Sequence, residues 1–374
     1  MLLRLSVLGT SVALVGCVSS VTTRPHRRDE PSQKLREAAV RAQDRDESAE
    51  ARPRALGTAL RAFVENDFFS LRRRTDRYYT NGLRLEWNLP PTWTPAWVES
   101  LARSLPLFPS EPDEVALGLS VGQNIYTPAD ITDPAPRPLD RPYAGWLYGG
   151  LTLRSLDLDP EDGPLAAHRD VIHVLEAQFG VVGPSSAAAT VQTEWHEWFG
   201  FRQPRGWQYQ LRDEPALDVS YVQARRLARF DARTFGIPFE ADLLANVGAT
   251  LGNVHTHASL GGILRFGFNL PRDFGIGTIQ TSVADAGAST SVPLYLFAGV
   301  QGRAVARNLF LDGNSYRSSP RVDREYLVGE LRGGAVLGLG PFDVAYTFVI
   351  QSPEFRGGDK DQQFGSVFLS MTLR

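Results

Sequence analysis

A single cysteine in 374 residues excludes an intrachain disulfide, and no Cys/His spacing resembles a zinc site. The 39 basic and 42 acidic side chains nearly cancel, leaving a net charge of −3, so no basic field exists to attract nucleic acid. No continuous apolar stretch reaches the roughly 20 residues that a membrane-spanning helix needs. A Gly-x-Ser-x-Gly elbow, a phosphate-binding loop and an EF-hand spacing are all missing. There is no internal repeat. What the chain does hold is 34 glycines and 10% aromatic residues. Spread evenly, these suit short strands and turns better than packed helices.

The beginning reads as a targeting segment. Arg4 supplies a small positive region and Leu5 to Val15 an apolar run too short to span a bilayer. It ends in Leu14-Val15-Gly16-Cys17, which resembles the lipobox of bacterial lipoproteins, and the chain's one cysteine sits at the lipid-accepting place. Lipidation of Cys17 is the expectation; an ordinary cleaved signal is the alternative. Residues 18–57 are crowded with mixed charge and lack aromatics, which predicts a solvated tether. The folded domain is expected over residues 58–374.

Past Leu60 the pattern alternates with a period of two. Leu83, Leu85 and Trp87 point one way, and Arg84, Glu86 and Asn88 the other. Val367, Leu369, Met371 and Leu373 repeat this at the chain's end. Strands with polar inner faces, joined to an export signal, point to an all-β fold, an antiparallel transmembrane β-barrel in a bacterial outer membrane. Twelve candidates fall near 59–69, 78–89, 114–124, 146–157, 170–182, 215–230, 235–251, 258–269, 293–306, 323–335, 341–351 and 364–373. Segments 89–113, 125–145, 183–214 and 307–322 are long polar connections, expected at the outward end.

One connection is predicted to carry a short helix near 186–199. Gly183-Pro184 breaks the strand, and Ser185 or Ser186 is placed to cap the first turn. Val191, Trp195 and Phe199 recur on one face, while Gln192 and His196, four apart, share a side. His196 is therefore the candidate base among six histidines. The bland reading is an interfacial histidine in an aromatic belt. His255 and His257 stand two apart with no acidic neighbour in sequence, a weak metal pair. Glu65-Asn66-Asp67 and the following Asp76 to Gly82 offer hard oxygen ligands for Ca²⁺, or simply a capped turn. Thr80 shares the parity of Arg84 and Glu86, which predicts an inward side chain.

These residues carry a resemblance. Glu65-Asn66-Asp67-Phe68-Phe69 with Asp76-Arg77-Tyr78-Tyr79-Thr80-Asn81-Gly82 resembles the opening of the lipid A 3′-O-deacylase family. Gly122-Gln123-Asn124-Ile125-Tyr126-Thr127-Pro128, Asp140-Arg141-Pro142-Tyr143-Ala144-Gly145-Trp146, Gly206-Trp207 and Phe310-Leu311-Asp312-Gly313-Asn314 follow in the family's order. The match runs from about residue 60 to the end.

The resemblance implies a twelve-stranded outer-membrane barrel that removes the 3′-linked acyloxyacyl group of lipid A, with Ca²⁺ as cofactor. It places the family's site on Asn66, Asp67, Thr80, Gln192 and His196, with Asn66 and Asp67 holding the metal and His196 activating water. Lipopolysaccharide and the outer membrane are the implied partners, and the chain is expected to act as a monomer. Three departures stand out. A family Lys falls near Asn124, the lipobox and tether are unlike a plain barrel signal, and the chain ends in Leu373-Arg374 instead of an aromatic. A non-catalytic barrel of the family, or an esterase or phospholipase acting on another lipid, are the competing functions.

Overall fold

The alternation becomes antiparallel strands in the computed structural model, which describes residues 56–70, 77–158, 170–234, 237–279, 292–358 and 361–373. The expected signal, lipobox and most of the tether, together with Asp76 and His168, lie outside the described residues. Among the described residues are twelve strands. They are β1 (Thr58–Asn66), β2 (Tyr78–Asn88), β3 (Glu114–Thr127), β4 (Ala144–Asp157), β5 (Val171–Val182) and β6 (Glu214–Thr234). The rest are β7 (Ile237–Gly252), β8 (His255–Phe268), β9 (Leu294–Asn308), β10 (Leu327–Leu339), β11 (Phe342–Gln351) and β12 (Gln362–Leu373). Each pairs with its sequence neighbours, and β1 closes on β12. Closure leaves no exposed edge, with Phe63 opposite Phe368 at the seam.

The faces are inverted relative to a soluble barrel. Leu83 and Leu85 on β2 are 44% and 48% exposed, while Arg84 between them is 1% exposed. Inside, Arg84 reaches Glu86 and Glu176, each at 2.7 Å. Apolar outward and charged inward is the pattern that lipid selects. Among the described residues no helix is long and apolar enough to cross a membrane.

The lumen is plugged over part of its length. After β8 the chain turns back into the barrel, burying Phe274, Ile276 and Ile279 in the core with Phe63, Phe297 and Val336. The Ile279 N–H donates to Glu65 Oε1 at 2.8 Å, near the opposite end of β1. Ten extended residues reach about 33 Å, enough for that traverse. Arginines hold this plug. Arg265 binds Asp242 at 2.6 Å and also Asp273. Arg226 binds Asp170 at 3.3 Å and also Asp242. Replacing Arg265 by Ala strands buried carboxylates and should cost about 3–5 kcal/mol. Denaturant unfolding followed by heat-dependent gel mobility measures this; an unchanged midpoint would show that the network contributes nothing.

Three expectations need correction. The first strand stops at Asn66, because Asp67–Phe69 form a 3-10 turn capped by Asn66. The tenth strand begins at Leu327, four residues after the expected start. The connection 89–113 follows β2 and so lies at the end where β1 begins, opposite 128–143, 183–213 and 309–326. It carries helix α1 (Ala96–Ser104).

Candidate active site

Helix α2 (Ala188–Phe199) lies on the outer wall of the barrel at the end reached by β1 and β3. Gly183 leaves β5 with φ 110°, a conformation open to glycine, and Ala187 enters the helix at φ 58°. Neither expected serine caps through its side chain in the usual way. Ala187 is the N-cap residue, and the Ser186 hydroxyl donates to the Gly183 carbonyl at 2.6 Å. Gln123 Nε2 of β3 donates to the Ser186 carbonyl at 2.7 Å. Below the helix, Ile125, Ile131, Tyr143, Ala188 and Trp207 form one buried cluster.

The fit is closest at Gly145 on β4. A Cβ there would sit 2.2 Å from both Ala188 Cβ and Ser186 Oγ. Gly145→Val should therefore lift the start of α2 from the wall without disturbing the lumen. A displacement of about 1 Å costs on the order of 10²-fold in rate. Turnover of Gly145→Val in purified, folded barrel tests this, and wild-type turnover would show that the close approach is dispensable.

The helix turns its polar stripe to the wall. Ala188, Gln192 and His196, spaced four apart, are its buried residues. Val191, Trp195, Trp198 and Phe199 stay exposed. In water this would be backward; against lipid it is the stable orientation. Each of the two buried side chains is held by a neighbour. Trp207 Nε1 donates to Gln192 Oε1 at 2.9 Å. Gln192 is 3% exposed, and its Nε2 has no hydrogen-bond partner among the described residues. His196 Nδ1 lies 2.5 Å from the Arg202 carbonyl oxygen, a bond that requires Nδ1–H and so makes Nε2 the nitrogen that carries the lone pair whenever the ring is neutral.

The N-terminal part of the site approaches from β1. The Phe201 ring stands edge-on to His196 at 5.7 Å and packs on Phe68 at 5.6 Å. Phe68 N–H donates to Asn66 Oδ1 at 2.7 Å, and Arg77 N–H donates to Asp67 Oδ2 at 2.9 Å. Asn66 Nδ2 reaches Asn81 Oδ1 at 3.2 Å. Asp67 is buried. A regular strand would turn Asn66 and Asp67 apart; here the strand ends between them, where the 3-10 turn begins at Asp67.

Thr80 overturns its expected inward parity. The β2–β3 register shifts between Tyr79 and Asn81. Tyr79 takes the lumen, donating its hydroxyl to Glu65 at 2.8 Å. Thr80 instead pairs its hydroxyl with that of Thr127 at 2.6 Å. Thr127 shares the parity of Ile125 and Gln123, the residues of β3 that meet the helix. The bulge thus moves Thr80 to the outer wall with the other candidates. Bulges redirect side chains in this way next to functional sites.

Asn124, one residue from Gln123, faces the other way. It lines a lumenal cavity of about 80 Å³ with Trp146, Tyr148, Asp218 and His255. The histidine expected to lack an acidic partner has one: His255 Nδ1 binds Asp218 Oδ2 at 2.9 Å. Asp218 lies 37 residues away, beyond the reach of spacing arguments. Above the cavity, Arg141 caps the lumen, stacked over Tyr126 at 4.8 Å and paired with Glu354 at 2.9 Å. Burial pushes the Glu354 carboxyl up, but the Arg141 and Arg303 guanidiniums together, with a smaller part from His255, outweigh it and hold the group below the usual range. Among the described residues no group of three His, Cys, Asp or Glu is placed to hold a metal ion.

Comparison with known proteins sets these features in context. A family model described as "Outer membrane protein LpxR" matches residues 35–373. The chain is similar to the solved LpxR from Salmonella typhimurium, with a TM-score of 0.65 and 20% identity over 84% of this chain and all (100%) of that one. The β domain of the Bordetella autotransporter BrkA has 12% identity and a TM-score of 0.36, covering 85% and 99% of the two chains. The translocator domain of NalP from Neisseria meningitidis has 9% identity and a TM-score of 0.36, covering 91% and 98%. Curated protein sequences contain no match.

Proposed function

The chain belongs to the LpxR family of outer membrane proteins, and from that premise we propose that it is a lipid A deacylase that hydrolyses the ester of the 3′-linked acyloxyacyl group. The observation that carries the reading is the arrangement of α2. Its wall-facing side holds a histidine with its lone pair on Nε2 and a buried amide with unused donors, beside an apolar flank suited to fatty chains.

The chemistry follows from those atoms. His196 Nε2 takes a proton from water as the water oxygen attacks the acyl carbonyl carbon. The carbonyl oxygen gains negative charge, and Gln192 Nε2, aimed by Trp207, donates to it. The bond from that carbon to the sugar oxygen then breaks, and the imidazolium returns its proton to the leaving sugar oxygen. The products are a free acyloxyacyl acid and a sugar hydroxyl. The Thr80–Thr127 hydroxyl pair on the same wall orients the water or the sugar.

The donor set near Asn66 suits Ca²⁺. Asp67 supplies a buried carboxylate and Asn66 an amide oxygen, both hard ligands, with backbone carbonyls and water to complete six or more positions. A bound Ca²⁺ would supply Lewis acidity toward the ester carbonyl. With one carboxylate in the set, the affinity would be modest and chelator would remove the ion.

Mass spectrometry of lipids from cells with and without the protein tests the reading. The expected result is lipid A lighter by one acyloxyacyl group, and a purified activity that chelator abolishes and Ca²⁺ restores. Unchanged lipid A alongside new lysophospholipid would assign the site to another lipid. Unchanged lipids of both kinds would make the barrel non-catalytic.

A further inference from the structure

The connection between β2 and β3 has no part in the chemistry above, yet it is ordered against the barrel in an unusual place. It does not cover the lumen. Val98 and Ala102 of α1, with Phe108 after it, are buried against Val115 of β3 and Leu153 of β4. Val115 alternates with Ala116, which belongs to the lumenal core, so Val115 and its partners are on the outer wall. The segment continues across the wall. Phe108 packs on His173 of β5 at 5.6 Å and on Tyr221 of β6 at 6.2 Å. The Tyr221 hydroxyl donates to the Leu107 carbonyl at 2.9 Å.

With its inner side on the wall, α1 presents two contrasting flanks. At about 100° per residue, Trp97 and Leu101 fall on one side of the buried Val98–Ala102 stripe. Glu99 and Arg103 fall on the other and pair at 3.8 Å. Trp93, Trp97, Leu101 and Leu107, all within 15 residues of one another, are 62%, 69%, 46% and 56% exposed, and large apolar side chains clustered in exposure mark interaction surfaces. The patch is continuous with the lipid-facing belt. Further along the same strand faces come Leu119, Val121 and Leu151, all exposed, and Trp87 of β2 meets Trp93 ring to ring at 6.2 Å.

We propose that residues 91–108 form an interfacial collar that inserts Trp93, Trp97, Leu101 and Leu107 among the phospholipids of the periplasmic leaflet. The Glu99–Arg103 flank faces the aqueous periplasm. Tryptophans at the level of the headgroups and an apolar flank turned to the acyl chains are the marks of such a segment. The collar lies at the end opposite α2, so barrel and collar together fix the depth at which α2 meets the outer leaflet. This inference rests on outer-membrane residence and not on the deacylase reading.

The test uses the full-length protein in phosphatidylethanolamine–phosphatidylglycerol vesicles, comparing wild type with the Trp93→Phe/Trp97→Phe double variant. Subtracting the two emission spectra isolates the fluorescence of these two residues. Both side chains are exposed, so the variant should retain heat-modifiable mobility. The difference signal should be quenched about threefold or more by lipids brominated near the headgroup end of the chain, and little by aqueous iodide. Quenching by iodide without quenching by brominated lipid would overturn the collar, placing the tryptophans in the periplasm. Resistance to both quenchers would overturn it too, since a protein surface would then cover them.

Discussion

Replacing His196 by Ala should lower hydrolysis by about 10²- to 10⁴-fold, in kcat far more than in KM. The barrel should remain folded. His196 lies outside the lumen, and losing its bond to the Arg202 carbonyl costs about 1 kcal/mol. This separates the two readings of that histidine. A base lost from the wall of the site removes turnover and leaves the barrel's thermal gel shift in place. A histidine that only fills an aromatic belt would leave turnover near the wild-type value.

Gln192→Met should lose about 10²- to 10³-fold in kcat with little change in stability. The argument is an accounting of two atoms. Met leaves the buried Trp207 Nε1–H without its Gln192 Oε1 acceptor, a cost of about 1–3 kcal/mol. It also discards a buried Nε2 that has no partner among the described residues, an unmet group costing about 1–3 kcal/mol. These effects nearly cancel in the resting protein. In the transition state they do not, because Nε2 is then the donor facing the developing oxyanion. A merely structural glutamine would show the opposite pattern, with stability lost and kcat kept.

The barrel was legible because parity survives almost everywhere. Leu83, Arg84, Leu85 and Glu86 alternate in sequence, and they alternate between lipid and lumen. Thr80 failed for a local reason, since one extra residue at the Tyr79–Asn81 bulge reverses parity beyond it. The helix was legible from Gly183-Pro184 and the four-residue spacing of Val191, Trp195 and Phe199. Its capping was not, because Ala187 enters with a positive φ that nothing in an alanine announces. What orients the two polar side chains was hidden as well. Arg202 acts through its backbone carbonyl, which carries no residue signature, and the Gly206-Trp207 pair does not by itself say that the indole N–H reaches Gln192. The plug of residues 270–279 escaped because an arginine–aspartate network, not an apolar run, draws it inside. Length alone suggests the outward end for the connection 89–113, and the structure has it at the other. Counting strands places it correctly.

The most direct measurement is hydrolysis of lipid A by the purified protein in ¹⁸O-labelled water with Ca²⁺ present. If His196 activates water toward the acyl carbonyl, the released acyloxyacyl acid gains one ¹⁸O in its carboxyl group, the sugar hydroxyl gains none, and His196→Ala releases almost nothing. Released acid without the label, or label on the sugar, would contradict attack by water at the carbonyl carbon. Intact lipid A after incubation with folded wild-type protein would contradict the deacylase itself.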